Sequence, residues 1–155
     1  MMSMPDQGNA TEVPQLAEYH PLTEPEAIEI ARRIEGVFPE GAELNCREIG
    51  DGNLNLVFHV RDEASGRSLI LKQALPYAKV VGESWPLTLD RSRIESEALI
   101  EEGRLAPGLV PKVYKYDPDL ALTVMEDLSD HIIMRAGLMQ CRRYPLFADH
   151  ISTFL

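Results

Sequence analysis

Lys72 stands at the end of the apolar run Leu69-Ile70-Leu71. An ammonium in that setting must either snorkel to water along its own stem or meet a negative partner. Upstream, Gly50-Asp51-Gly52-Asn53-Leu54-Asn55 puts two glycines into a short turn. Lacking Cβ atoms, such a turn lets the backbone approach a bound group and present N–H donors to phosphate oxygens. Gly50, Gly52, Asn53 and Asn55 are the candidate contacts. Asp-Gly and Gly-Asn also close plain hairpins. The turn is not a P-loop, because no Gly-Lys-Ser/Thr follows and a strand comes next. Downstream of Lys72, Glu95 and Glu97 sit on a helical stretch. Two residues apart, they face roughly opposite ways, so only one can meet the lysine. The third point is Met125-Glu126-Asp127-Leu128, where an apolar strand passes into a polar link. A carbonyl at Glu126 could accept from the amino group of an adenine and an N–H near Leu128 could donate to a ring nitrogen. The same residues suit a helix-capping turn, with Asp127 or Ser129 as the cap.

Other chemically able residues read more plainly. His20, His59, His131 and His150 have no metal-ligand spacing. His59 lies on the strand face opposite Leu56, Phe58 and Val60, which predicts a solvent-facing side chain. Tyr114 and Tyr116 share one strand face and read as packing. Trp85, in a loop bounded by prolines, could serve as a lid or as a plug.

The elements that must position these groups follow from the periodicity. Thr23 and Glu26 stand at capping-box spacing ahead of Ala27, Ile30, Ala31 and Ile34, predicting a helix that ends by Gly36 and Pro39. Alternation then takes over around Leu44–Ile49, Leu54–Val60 and Ser68–Gln73, with turn residues between, predicting a three-stranded antiparallel meander. A second helix is expected from about Leu89 to Arg104. Two more strands are expected over Val110–Tyr116 and Leu120–Met125, turned by Asp117-Pro118-Asp119, and helical periodicity resumes after Leu128. Three strands, a helix and two strands is the layout of a protein-kinase-like small lobe, an α+β fold. The expected organisation is a flexible leader over 1–22, a small lobe over 23–125, a hinge over 126–129, and over 130–155 the beginning of a helical large lobe cut short.

Composition sets outer bounds. The 155 residues carry 45% hydrophobic and 26% charged side chains and a net charge of −10. That is ordinary for a globular chain and opposes nucleic acid or an anionic membrane surface as partner. Cys46 and Cys141 form no metal or redox motif, and no signal peptide or apolar membrane span is evident, so a cytoplasmic protein is expected.

The words themselves resemble one family. Gly50-Asp51-Gly52-Asn53-Leu54-Asn55-Leu56-Val57-Phe58, Leu71-Lys72-Gln73-Ala74-Leu75-Pro76-Tyr77, Gly82-Glu83-Ser84-Trp85-Pro86, Asp90-Arg91 and Val124-Met125-Glu126-Asp127-Leu128-Ser129 are similar to methylthioribose kinases, from about Thr23 onward. Aminoglycoside and choline kinases share the fold but not Gly-Glu-Ser-Trp-Pro. The resemblance implies ATP-dependent phosphorylation of the 1-hydroxyl of 5-methylthioribose in methionine salvage, by a magnesium-using homodimer. It implies ATP contacts at Asn55 and Lys72 and adenine contacts over Glu126, Asp127 and Leu128. It also favours Glu97 as the partner of Lys72, because Ala98 and Leu99 follow it as in related folds.

One departure stands out. The family's His-Gly-Asp catalytic loop and its acidic magnesium motif do not occur, since His131 and His150 are each followed by isoleucine. Phosphoryl transfer needs an oriented acceptor and neutralised charge, so the chain reads as the ATP-binding part of such a kinase, inactive alone, with its magnesium ligands elsewhere. The alternatives are a non-catalytic nucleotide-binding or regulatory module and a kinase for another small sugar or amino alcohol. Residues 130–155, lacking partners, are expected to expose an apolar face. Self-association in analytical ultracentrifugation and binding of an apolar dye are the expected outcome, and a sharp monomer with no dye signal would refute it.

Overall fold

A computed structural model describes residues 19–50, 52 and 54–155. Asn53 and most of the proposed leader lie outside the described residues. Helix α1 (Glu24–Arg32) begins where the spacing placed it: the Glu26 carboxylate accepts the Thr23 N–H and Thr23 Oγ1–H, both at 2.8 Å. These bonds, with the His20 ring behind them, hold the Glu26 carboxyl down at about 2. Strands β1 (Leu44–Glu48), β2 (Asn55–Asp62) and β3 (Ser68–Ala74) follow, then a small hairpin of β4 (Tyr77–Ala78) and β5 (Gly82–Pro86). Helix α2 (Asp90–Leu105), strands β6 (Val113–Asp117) and β7 (Leu122–Glu126), and helices α3 (Met134–Met139) and α4 (Phe147–Phe154) complete the order.

Five strands form one antiparallel sheet in the order β1-β2-β3-β7-β6. The register sorts side chains to its two faces. Phe58, Val60, Leu69, Leu71, Leu122 and Val124 align on one face and are buried against Leu22, Ala27 and Ala31. The opposite face carries Val57, His59, Ile70, Lys72, Thr123 and Met125. Helix α2 stands on this second face. Its buried Ser92 hydroxyl donates to the Ala121 carbonyl at 3.0 Å, and Ser96 Oγ lies 2.6 Å from Thr123 Oγ1. Ala121 itself sits in the left-handed region at φ 48°. Its carbonyl also takes the Ala74 N–H at 3.0 Å, so one peptide group joins the end of β3 to α2.

The chain before α1 is strapped to the sheet by Gln73. This fully buried amide accepts the Leu22 N–H at 2.8 Å and donates to the carbonyls of His20 at 2.8 Å and Leu120 at 3.0 Å. Tyr19 adds a hydroxyl bond to the Ala74 carbonyl at 2.8 Å, and burial pushes its phenol up to about 12.

Two regions differ from the sequence reading. The stretch after β3, where a loop is expected around Trp85, is the β4–β5 hairpin, with Tyr77 paired to Pro86 and Gly82, at φ 71°, opening β5 opposite Ala78. Trp85 is 60% exposed there, so it plugs nothing. Helical structure after Leu128 also starts later than expected, at Met134. In this region Ile133, Leu138, Met139, Leu146, Phe147 and Ile151 are exposed, as the sequence led one to expect. Gly137 lies under the Tyr144 hydroxyl, in space a Cβ would need.

Gln73→Leu is expected to strand the Leu22 N–H and the Leu120 carbonyl without partners. The loss should be about 2–6 kcal/mol, at ~1–3 kcal/mol for each of the two unsatisfied groups. Urea unfolding at unchanged slope measures it, and a loss under about 0.5 kcal/mol, the scale of a surface change, would contradict the strap.

Candidate nucleotide site

Lys72 occupies the second-to-last inner position of β3, paired across to Val57 on β2 and Thr123 on β7. Burial of Leu71 and Gln73 on the other face turns its side chain toward α2. There Lys72 Nζ meets Glu95 Oε1 at 2.5 Å. The choice of glutamate is a correction. Ser92 and Ser96 face the sheet, which places Glu95 on the flank nearest Lys72. Glu97 turns outward and accepts from Arg93 Nη1 at 2.8 Å, an i,i+4 pair on the exposed surface. Related folds suggested Glu97 by its neighbours Ala98 and Leu99; the buried serines were the better signal, because they mark which face of α2 the sheet covers.

The glycine turn enters the same face through β2. Gly50 has φ 88°, a backbone state that an L side chain resists. Gly52 is exposed, and a Cβ there would meet only the Asn55 carbonyl at 3.7 Å. Asn55 opens β2 opposite Ala74. Its Oδ1 lies 3.5 Å from Arg91 Nη2, and the same nitrogen donates to the Leu54 carbonyl. Arg91, which the resemblance contributed only as part of a word, thus ties the first turn of α2 to the exit of the glycine turn. Its partial burial lowers the guanidinium's pKa. Lys72, Asn55, Glu95 and Arg91 therefore converge on one end of the sheet.

The link after β7 is capped by Asp127, but over a turn rather than a helix: helix α3 begins only at Met134. The Glu126 backbone N–H donates to the Lys112 carbonyl at 2.8 Å, and its side chain accepts the Lys112 N–H at 3.0 Å. Asp127 folds back over the sheet. Its Oδ2 takes Ser68 Oγ at 2.6 Å and His59 Nε2 at 2.8 Å, while its Oδ1 takes the Ser129 N–H at 2.9 Å and the Ser129 hydroxyl. A carboxylate only accepts, so Nε2 of His59 carries the proton. Expected to face solvent, His59 is 8% exposed, because the link covers the face that alternation alone leaves open. Among the described residues nothing accepts the Leu128 N–H.

A five-stranded antiparallel sheet with a lysine–glutamate pair between its third strand and the following helix is a protein-kinase-like small lobe. Within that class, the chain is similar to proteins named methylthioribose kinase. It is 57% identical over 141 residues to the one from Geobacillus kaustophilus (91% of this chain, 35% of the relative). It is 56% identical over 139 residues to that of Bacillus pumilus (90% and 35%) and 52% identical over 137 residues to that of Bacillus mycoides (88% and 34%). The chain thus spans about a third of the length of the curated relatives it matches. No protein-family model matches it.

Burial raises the Asp127 carboxyl, but hydrogen bonds from Ser129, Ser68 and His59 outweigh that and hold it at about 2, against an ordinary 3.8. A carboxyl depressed in the folded state stabilises above its unfolded pKa and loses that contribution as pH falls through the folded value. Stability on the order of 2 kcal/mol should therefore be present above roughly pH 4 and gone near roughly pH 2. In Asp127→Asn the slope of unfolding free energy over that interval should flatten; an unchanged acid slope would contradict the assignment.

Proposed function

We propose that this chain holds the nucleotide in an ATP-dependent kinase that phosphorylates 5-methylthioribose at its 1-hydroxyl, in methionine salvage. The observation that carries the reading is Lys72, held by Glu95 on the sheet face that the glycine turn and the 126–129 link border. The relatives' printed names supply the acceptor. In this reading Lys72 meets the α- and β-phosphates as a positioned cation. The turn from Gly50 through Asn55, which includes Asn53 in sequence, would cover the phosphates with N–H donors. The 126–129 link acts as a hinge: the Glu126 carbonyl and the Leu128 N–H read the adenine edge, and Asp127 supports them without touching the base.

Among the described residues no three His, Cys, Asp or Glu side chains come together as metal ligands. No His-Gly-Asp occurs in the 155 residues either. Orientation of the sugar hydroxyl and binding of magnesium would fall to residues outside this chain, which by itself would bind nucleotide without turning it over. The complete kinase would be a cytoplasmic homodimer, as the resemblance implies. No helix among the described residues is long and apolar enough to cross a membrane.

Isothermal calorimetry with ATP and Mg²⁺, on this chain and on Lys72→Ala, tests the reading. Wild-type binding that weakens about tenfold or more in the mutant is expected, since loss of one charge-assisted contact costs ~1.5–3 kcal/mol. Equal affinity in the mutant would remove Lys72 from the site. No binding by a folded chain would overturn the reading that this chain holds the nucleotide by itself.

A further inference from the structure

A second polar cluster, around Asp127, joins three separate parts of the chain. His59 comes from the middle of β2, Ser68 from the first residue of β3, and Ser129 from the link itself. The His59 and Asp127 side chains are 10% and 8% exposed, so these bonds are made largely out of water, where an unsatisfied partner is costly. One carboxylate therefore grips the sheet with Oδ2 and the link with Oδ1.

The residue between the two gripped positions is Leu128. Asp127 before it is fixed to β2 and β3, and Ser129 after it is fixed through both its N–H and its hydroxyl to the same carboxylate. The His131 N–H donates to the Leu128 carbonyl at 2.9 Å, which sets the plane of the following peptide as well. The peptide that carries the Leu128 N–H has little freedom left.

We infer that His59 and Ser68 are positioning residues for base recognition: acting through Asp127, they aim the Leu128 N–H at the nucleotide's ring nitrogen. The inference rests on the hinge reading proposed above. Neither side chain touches the ligand. Their effect falls on the base and leaves the phosphates, which are held from the glycine turn and Lys72 at the other end of the face.

Because of that separation, a split between probes distinguishes aiming from general support. The chain and its His59→Leu, Ser68→Ala and His59→Gln variants are titrated calorimetrically with ATP, adenosine and inorganic tripolyphosphate, after a cooperative thermal melt establishes folding. His59→Leu is expected to lose about tenfold or more in affinity for adenosine and ATP while tripolyphosphate binding stays within about twofold. Ser68→Ala should lose less, since His59 still holds Oδ2. His59→Gln, which keeps a donor near Nε2, should restore most of the loss. Amide hydrogen exchange at Leu128 and Ser129 should quicken in His59→Leu and recover in His59→Gln. Equal loss for all three probes would reduce the cluster to a structural role, and unchanged adenosine affinity or exchange would overturn the inference while leaving the nucleotide site standing. If the unaltered chain binds no probe at all, the parent reading fails first and this one with it.

Discussion

Leu69, Leu71 and Gln73 point to one face of β3 and are fully buried there. Successive residues of a strand alternate, so Ser68, Ile70 and Lys72 are committed to the other face. A slip of one residue would expose the three buried side chains and turn the lysine into the core. Both neighbours, β2 and β7, are registered against this strand, and Gln73 fastens the entry to α1 from the same strand. The burial that stabilises the sheet therefore also aims its one inner lysine.

The two ends of the open face are finished by different means. At the Lys72 end, charge does the work: a lysine–glutamate pair with 27% and 44% of its side-chain surfaces exposed, and an arginine laid across the glycine turn's exit. Pairs this wet contribute little to stability, which leaves them available to a ligand. At the Asp127 end the His59 and Asp127 side chains are buried and bonded to each other, to Ser68 and to Ser129. Such networks fix geometry at the cost of tolerance to change. The contrast leaves cations partly open to solvent at one end of the face and backbone atoms held by buried side chains at the other.

Much of this was legible in the sequence. The capping box, the three-strand meander and the lysine in its apolar run depend on local spacing, and each is where spacing put it. Asn55, Lys72 and Glu126 need only their strands to be placed. What escaped depends on contacts between distant segments. His59 looked solvent-facing because alternation says which face a residue takes, not what later covers that face; the cover is Asp127, 68 residues on. Glu95 and Glu97 could be separated only by knowing which side of α2 the sheet hides, a fact carried by two small serines whose partners lie beyond the helix. The β4–β5 hairpin escaped because β4 is two residues long, too short for a period.

Helix α2 is fastened to the sheet at two buried points, Ser92 on the Ala121 carbonyl and Ser96 on Thr123, and the Lys72 pair lies between them. Swinging the helix outward would break both bonds and leave hydroxyl and carbonyl groups unpaired in a dry interface. The two buried bonds therefore favour the position of α2 in which Glu95 meets Lys72.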